Sequence, residues 1–337
     1  MKRLLFPLAI SLMTLSSCQP PMSEDHKEVF TGNTADSVRH VGIVPPKGYT
    51  YPTADTFTVL TWNVEHFVDT IDNPYINNRR EDNPEVDDRP RRLMAALEAI
   101  DADVVVLQEF ENVAYLEQLV EKHLPQSDYQ FFADAESYDW YQNVVLMSKL
   151  PLGVIYSYGA AHTPLSFTED GEKKYQTQDY INTRMWSIDV LARPNYSFLL
   201  TGLHLKAGGG PRNVAMRMGQ IDLLHGQFAR FLREDENVNM LVVGDLNCTP
   251  ESEELEHLLY GHDRVQFNDP KQNLVFHTHP SDDPARQLDY ILPNTFMTPE
   301  LKAKSVRIPG AVSRAELVSL SDHLPVIATF MARDMAD

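Results

Sequence analysis

The most chemically loaded stretch of this chain is Ser321-Asp322-His323-Leu324-Pro325, an acid and an imidazole side by side at the head of the apolar run Val326 to Phe330. One of the two side chains can hold a cation while the other handles protons. Four other segments answer it. Phe57 to Glu65 alternates apolar and polar residues and ends on Asn63 and Glu65, which are two apart and so share a strand face that can point at one ion. Asp103 to Glu109 is an apolar run closing on Glu109, and a carboxylate at the end of a buried strand needs a partner, most simply a cation. Met240 to Asn247 repeats the first theme in reverse order, with Asp245 and then Asn247. Gln287 to Leu292 sets Asp289 alone in an apolar frame.

Two further groups could serve a phosphate. Arg184 begins the strand-like Thr183 to Val190 and has the planar fork that grips phosphoryl oxygens. His204 lies near the end of Tyr196 to Leu205 and is followed by Lys206-Ala207-Gly208-Gly209-Gly210, where glycines let the backbone approach a ligand closely. Consecutive glycines after a His form neither a dinucleotide fingerprint nor a Walker loop. His277 and His279 make a His-x-His pair of zinc-ligand type, with no third ligand at convincing spacing.

The elements that must position these groups follow from periodicity. Helical spacing covers Arg91–Ile100, Val113–His123 and Arg212–Arg233, with a short helix over Pro250–Leu259. Additional strands are expected over Tyr129–Ala133 and Asn143–Met147, and a final strand over Ser321–Phe330. Asp69–Pro90 and Ala160–Tyr180 read as long polar loops. Each half of the chain delivers an amide–carboxylate pair at a strand end and a His followed by Leu. The layout expected is two similar β-α halves, their sheets packed face to face with helices outside, converging on one acidic cleft.

The chain has 337 residues and a formal charge of −19. Its start reads as an export signal: basic Met1-Lys2-Arg3, apolar Leu4 to Leu15, then Leu15-Ser16-Ser17-Cys18. That ending resembles the lipoprotein box, which implies that Cys18 is lipidated and that the mature protein is tethered to a bacterial cell-envelope membrane, the outer membrane being the expected one. Domain limits on this reading are a signal peptide over 1–17, a tether without its own fold over 18–55, and a catalytic domain over 56–337. Cys248 is then the one other cysteine, so no internal disulfide forms. Loss of residues 1–17 leaves 27 of the 29 basic residues against 48 acids, a formal charge of −21. Such a field counts against a tight, processive binder of polyanions, but not against a cation site that acts on phosphates.

Thr61-Trp62-Asn63-Val64, Leu107-Gln108-Glu109, Leu203-His204-Leu205, Gly244-Asp245-Leu246-Asn247, Leu288-Asp289-Tyr290-Ile291 and Ser321-Asp322-His323-Leu324-Pro325 occur in that order. Together they resemble the endonuclease/exonuclease/phosphatase family, related to deoxyribonuclease I, over roughly Phe57 to Met331. The resemblance implies an α/β fold, a four-layer α-β-β-α sandwich of two packed mixed sheets, and hydrolysis of phosphate esters with Mg2+ or Mn2+. It makes Glu109 the main metal ligand, helped by Asn63, Glu65 and Asp322. It has Asp289 orient His323, which either activates water as a general base or stabilises the phosphate. It gives Asp245 and Asn247 the nucleophile and phosphoryl oxygens to position, and gives Arg184 and His204 the developing charge. In deoxyribonuclease-like members a carboxylate orients the central His; Asp139, Gln142 and Asn143 are the candidates here. One metal or two is left open.

The first expected substrate is a phosphodiester of DNA or RNA, because Leu203 to Gly210 followed by Arg212 and Arg217 looks most like extracellular bacterial nucleases. A phosphatase or lipid-headgroup phosphodiesterase is the alternative, favoured by a membrane tether and by an apolar rim such as Tyr138-Asp139-Trp140-Tyr141. A non-catalytic lipid-anchored binding protein is the third reading, and it should have lost some of the acids that are all present. No obligate protein partner is expected.

Overall fold

The computed structural model describes residues 43–69, 88–135, 142–178 and 184–335, all of them in the second of two compact units, Val38–Asp337. Cys18 and the start of the tether, most of the Asp69–Pro90 loop, and Tyr138 to Tyr141 with Asp139 lie outside the described residues.

The first sheet contains β1 (Thr56–Phe67), β2 (Val104–Phe110), β3 (Phe131–Asp134), β4 (Asn143–Ser148) and β12 (Val326–Met331), in the order β12-β1-β2-β4-β3. The second contains β5 (Leu152–Ser157), β8 (Met185–Arg193), β9 (Tyr196–His204), β10 (Met240–Asp245) and β11 (Asp289–Pro293), in the order β11-β10-β9-β8-β5. In each sheet one parallel pair, β1 with β2 and β9 with β10, is flanked by antiparallel neighbours. Strands buried on both faces read as unbroken Val, Ile and Leu runs, which is why Val104 to Leu107 and Leu241 to Val243 lack polar alternation.

Successive side chains take opposite faces. Val59, Val106 and Val144 meet Ile188, Leu200 and Val243 between the sheets. Leu60, Val105 and Leu107 turn outward onto the helices α1 (Arg89–Ile100), α2 (Val113–His123) and α5 (Arg314–Leu320). On the far side Leu199, Met240 and Val242 pack against α3 (Pro211–Glu234) and α4 (Glu253–Tyr260). The four-layer α-β-β-α sandwich expected from the sequence is the fold.

Several local expectations are corrected. The stretch read as the loop Ala160–Tyr180 contains, in its described residues, an antiparallel hairpin, β6 (Thr163–Glu169) and β7 (Glu172–Gln178). Its turn is Asp170-Gly171, both at positive φ (53° and 79°), the dipeptide that suits the twist of a two-residue hairpin. Leu165 and Phe167 bury one face of β6 while Pro164 and Ser166 stay exposed. The last strand begins at Val326 rather than Ser321, because Ser321 to Pro325 is held as a loop by the site. The helix α5, absent from the elements expected from periodicity, carries its own start signal, Ser313 Oγ accepting from the Glu316 N–H at 3.2 Å.

Residues 43–55, read as the end of the tether, make specific contacts. Tyr49 donates to the Lys149 carbonyl at 3.0 Å and sets its ring edge-on to Phe131, and the Asp55 carbonyl accepts from the Ala332 N–H at 2.8 Å.

Candidate active site

The parallel strands of both sheets end at one place. Asn63 on β1, Glu109 on β2, His204 on β9 and Asp245 on β10 are delivered there by the register that pairs Asn63 with Gln108 and Asp245 with His204. Gly244 makes the last step possible: it has φ 142°, and a Cβ there would sit 1.9 Å from the Leu203 carbonyl oxygen.

The backbone leaves regular strand geometry at the site. Glu65, His66, Glu109 and Asn247 all have positive φ (48°, 47°, 60° and 50°). Non-glycine residues held in this region store strain that the surroundings must enforce. Asn63 Oδ1 accepts from the Glu65 N–H at 3.0 Å, so the regular two-residue repeat stops at Asn63. The buried Arg89 guanidinium fixes the bulge, donating to the carbonyls of Val64, Glu65 and Leu320 and lying over the Phe67 ring at 4.9 Å.

Asn63 Nδ2 donates to Asp245 Oδ2 at 3.0 Å and to Glu109 Oε1 at 3.2 Å. Glu109 Oε2 accepts from the His66 N–H at 3.0 Å and from Gln142 Nε2 at 2.9 Å. The fully buried Asp289 accepts from His323 Nδ1 at 2.8 Å, which turns Nε2 of the ring to within 3.7 Å of Asp245 Oδ2. His204 Nε2 faces the same Asp245 oxygen at 3.6 Å and Glu109 Oε1 at 3.8 Å. Asp245 therefore stands between two imidazoles. Asn247 closes the turn below it, N–H to Asp245 Oδ1 at 2.8 Å and Nδ2 to Asp245 Oδ2 at 3.3 Å.

The Ser321–Pro325 loop is pinned from two sides. Ser321 Oγ donates to the Asn63 carbonyl at 2.6 Å and accepts from the His323 N–H at 3.0 Å, while Trp62 Nε1 donates to the His323 carbonyl at 3.0 Å. The Asp322 N–H donates to Glu65 Oε2 at 3.0 Å. The Asp322 side chain lies 3.6 Å from His279, whose ring packs 4.6 Å from that of His323.

The expected metal set is thus brought to one cleft in two parts, Asn63 with Glu109 and Asp322 with His279 and His323, with Glu65 bonded between them. The donors of the first part are carboxylate and amide oxygens, the hard ligands that Mg2+ and Mn2+ take. Asn63 can offer such an ion only the second lone pair of Oδ1, since the first accepts the Glu65 N–H.

The profile of the endonuclease/exonuclease/phosphatase family matches residues 60–323. This chain belongs to the endonuclease/exonuclease/phosphatase family. Solved structures of the same fold include the human Nocturnin catalytic domain with bound sulfate, at 17% identity and TM-score 0.51, covering 82% of this chain and 94% of that one. D. rerio TDP2 complexed with a single-strand DNA product has 17% identity and TM-score 0.50, covering 82% of this chain and 98% of that one. Staphylococcus aureus beta toxin has 14% identity and TM-score 0.52, covering 81% and 99%. No curated protein matches by sequence.

In this member of the family the electrostatics separate the four ionisable centres. Burial opposes charge on His323, but Asp289 and Asp245 outweigh it and hold its pKa up at about 10. Burial pushes the Asp245 carboxyl above its ordinary value, against the pull of His323. His204 is fully enclosed, and its pKa is lowered by that burial despite the facing carboxylates Asp245 and Glu109. Burial also works against the Glu109 carboxylate, yet the His204 and His66 rings, the Asn63 amide and the His66 N–H leave it below the ordinary value.

Arg184 is close enough to Glu109 and His204 to act on both, and its own pKa is lowered by burial. Burial and the cations Arg184, Arg212 and Arg217 depress that of Lys206. Arg184 gives the acidic site a basic group.

Three sequence readings resolve differently. Arg217, read as a basic residue of the nuclease-like segment, is buried, paired with Glu254 at 2.6 Å, and donates to the carbonyls of Lys206 and Gly208 at 2.8 Å, locking the glycine loop. His277 and His279 separate, His277 Nδ1 facing the Pro284 carbonyl at 3.0 Å. Of the candidates to orient His204, Gln142 serves Glu109 and His66, and Asn143 donates to the Glu111 carbonyl. His66, which adjoins a recognised motif, was missed as a site residue, and Gln142 and His279 were singled out for roles other than the contacts with Glu109 and Asp322 that they make.

Proposed function

We propose that this protein hydrolyses phosphodiesters with the help of a divalent cation, magnesium or manganese, and that its substrate is nucleic acid. The observation that carries the reading is Asp245 set between two imidazoles, with the Asp289–His323 pair on one side and Glu109 on the other. A cation held by Glu109, with Asn63 and Glu65 beside it, would neutralise charge on the phosphoryl oxygens.

The remaining work falls to the chain. His323 with a pKa near 10 is an imidazolium at neutral pH in the site as it stands, so it donates a hydrogen bond to a phosphoryl oxygen. Asp245, the carboxylate beside that imidazolium, is placed to accept a proton from the attacking water, next to the Asn247 amide. Arg184 takes the charge that builds on the phosphoryl oxygens. TDP2 with bound DNA product supports nucleic acid as the substrate; the formal charge of −19 favours the runner-up, a phosphatase or lipid-headgroup phosphodiesterase. From Leu15-Ser16-Ser17-Cys18 the domain is proposed to act from a lipid tether in the cell envelope.

The test uses the full chain in detergent with supercoiled plasmid, single-stranded RNA and phospholipid vesicles, in magnesium, manganese or chelator. Nicking that needs the cation and falls by roughly 10²- to 10⁴-fold in Asp245→Asn and His323→Ala supports the reading. Headgroup release with intact nucleic acid moves it to the runner-up. Mass spectrometry of the N-terminal peptide tests acylation of Cys18.

A further inference from the structure

On the outer helical layer, on α3 and α4, Asp222, His225 and His257 bring one ligand atom each to within 4.8 Å of one another. We propose that these three residues form a second metal site, selective for a borderline cation of the zinc class, that clamps α3 to α4. Two imidazoles and one carboxylate are a zinc donor set, unlike the oxygen-rich cleft that suits magnesium.

The ligands are positioned as a site needs. Asp222 and His225 are three apart on α3 and so lie on one helix face. His257 reaches them from the last turn of α4, its Nε2 2.7 Å from Asp222 Oδ1 and its ring 5.1 Å from that of His225. The other side of each ring is occupied. His225 Nε2 faces the Leu258 carbonyl at 3.2 Å, and a carbonyl can only accept, so the neutral ring carries its lone pair on Nδ1. A ligating histidine typically donates its second nitrogen to such an oxygen, which fixes the tautomer.

The His257 ring is seated against Gly261: a Cβ there would fall 2.2 Å from His257 Nδ1. Gly261 thereby leaves room for the rotamer that turns Nε2 toward Asp222. His262 borders the cluster, 6.0 Å ring to ring from His225, with Nδ1 accepting from the Arg264 N–H at 3.2 Å.

The experiment is zinc binding by the full chain in detergent, stripped of metal and held in excess magnesium, with stoichiometry read by competition against a chromogenic chelator. Cobalt substitution reports geometry and thermal unfolding reports linkage. Parent and His323→Ala are expected to bind one zinc that Asp222→Asn and His257→Gln lose, with a tetrahedral cobalt spectrum lost in the same two variants. Zinc should raise the parent's Tm by several degrees and leave that of Asp222→Asn unchanged. Asp222 is exposed, so its substitution keeps the test valid if His257→Gln fails to fold. Undiminished zinc stoichiometry in Asp222→Asn and His257→Gln, or no zinc bound by the parent, overturns the proposal. Zinc lost only in His323→Ala assigns it to the cleft and does the same.

Discussion

Asn63 Nδ2 donates to Asp245 Oδ2 at 3.0 Å, tying the end of a strand in one sheet to the end of a strand in the other. The same amide reaches Glu109 at 3.2 Å, so one side chain sets the spacing of two carboxylates that repel each other. Asn63→Ala is expected to cost about 10- to 100-fold in kcat/KM, in the range found when a partner that orients site ligands is removed. Asn63→Asp, which places a third acid there, should be worse. Steady-state kinetics with a chromogenic phosphodiester decides it; unchanged rates in Asn63→Ala would remove Asn63 from the site.

Asp289→Asn should lower the pKa of His323 from about 10, since the carboxylate bonded to Nδ1 is a main source of the elevation. A histidine raised in the folded state adds stability that is fully present below its unfolded pKa of about 6.5 and lost as pH rises toward 10. The parent should therefore lose stability across that window and the variant should lose less. Ring titration by NMR and denaturant unfolding at pH 6 and 10 measure the two effects; an unmoved His323 titration contradicts the assignment.

Glu300 is wholly buried, with Oε1 accepting from the Met335 N–H at 3.1 Å. Burial, with the nearby Asp334 adding to it, raises its pKa from 4.5 to about 7. Here the unfolded chain releases the proton first, so stability falls as pH rises from 4.5 to 7 and then levels off. Glu300→Gln should gain on the order of 2–3 kcal/mol over the parent at pH 8 and little at pH 4.5. Equal Tm differences at both pH values would falsify this.

Arg217→Ala strands the buried Glu254 and frees the carbonyls of Lys206 and Gly208. The expected loss is about 3–5 kcal/mol, whereas an Arg217→Met/Glu254→Leu pair should recover most of it. Chemical denaturation of both variants tests this. A loss in the single variant below about 1 kcal/mol would mark the pair as solvated.

Much of the site was legible because its residues are tied to strand ends. An apolar run fixes a strand and the strand fixes which side chains stand at its end, so Asn63, Glu109, His204 and Asp245 could be singled out one by one, and Asp289 as the one acid in an apolar frame. The hairpin β6–β7 was also written in the sequence, in Asp170-Gly171 and the alternation of Leu165 and Phe167, but the polar content of the stretch masked it.

What the sequence determined by itself is the strand core and the identity of the groups at its ends, since hydrophobic period and residue type are local properties. What only the tertiary structure decided is pairing. Gln142 reaches Glu109 across 33 positions, His279 reaches Asp322 across 43, and Arg217 pairs with Glu254 on the neighbouring helix. Each of these depends on how two sheets and their helices close on one another, and a linear pattern carries no record of which distant partner will occupy a side chain's hydrogen bonds.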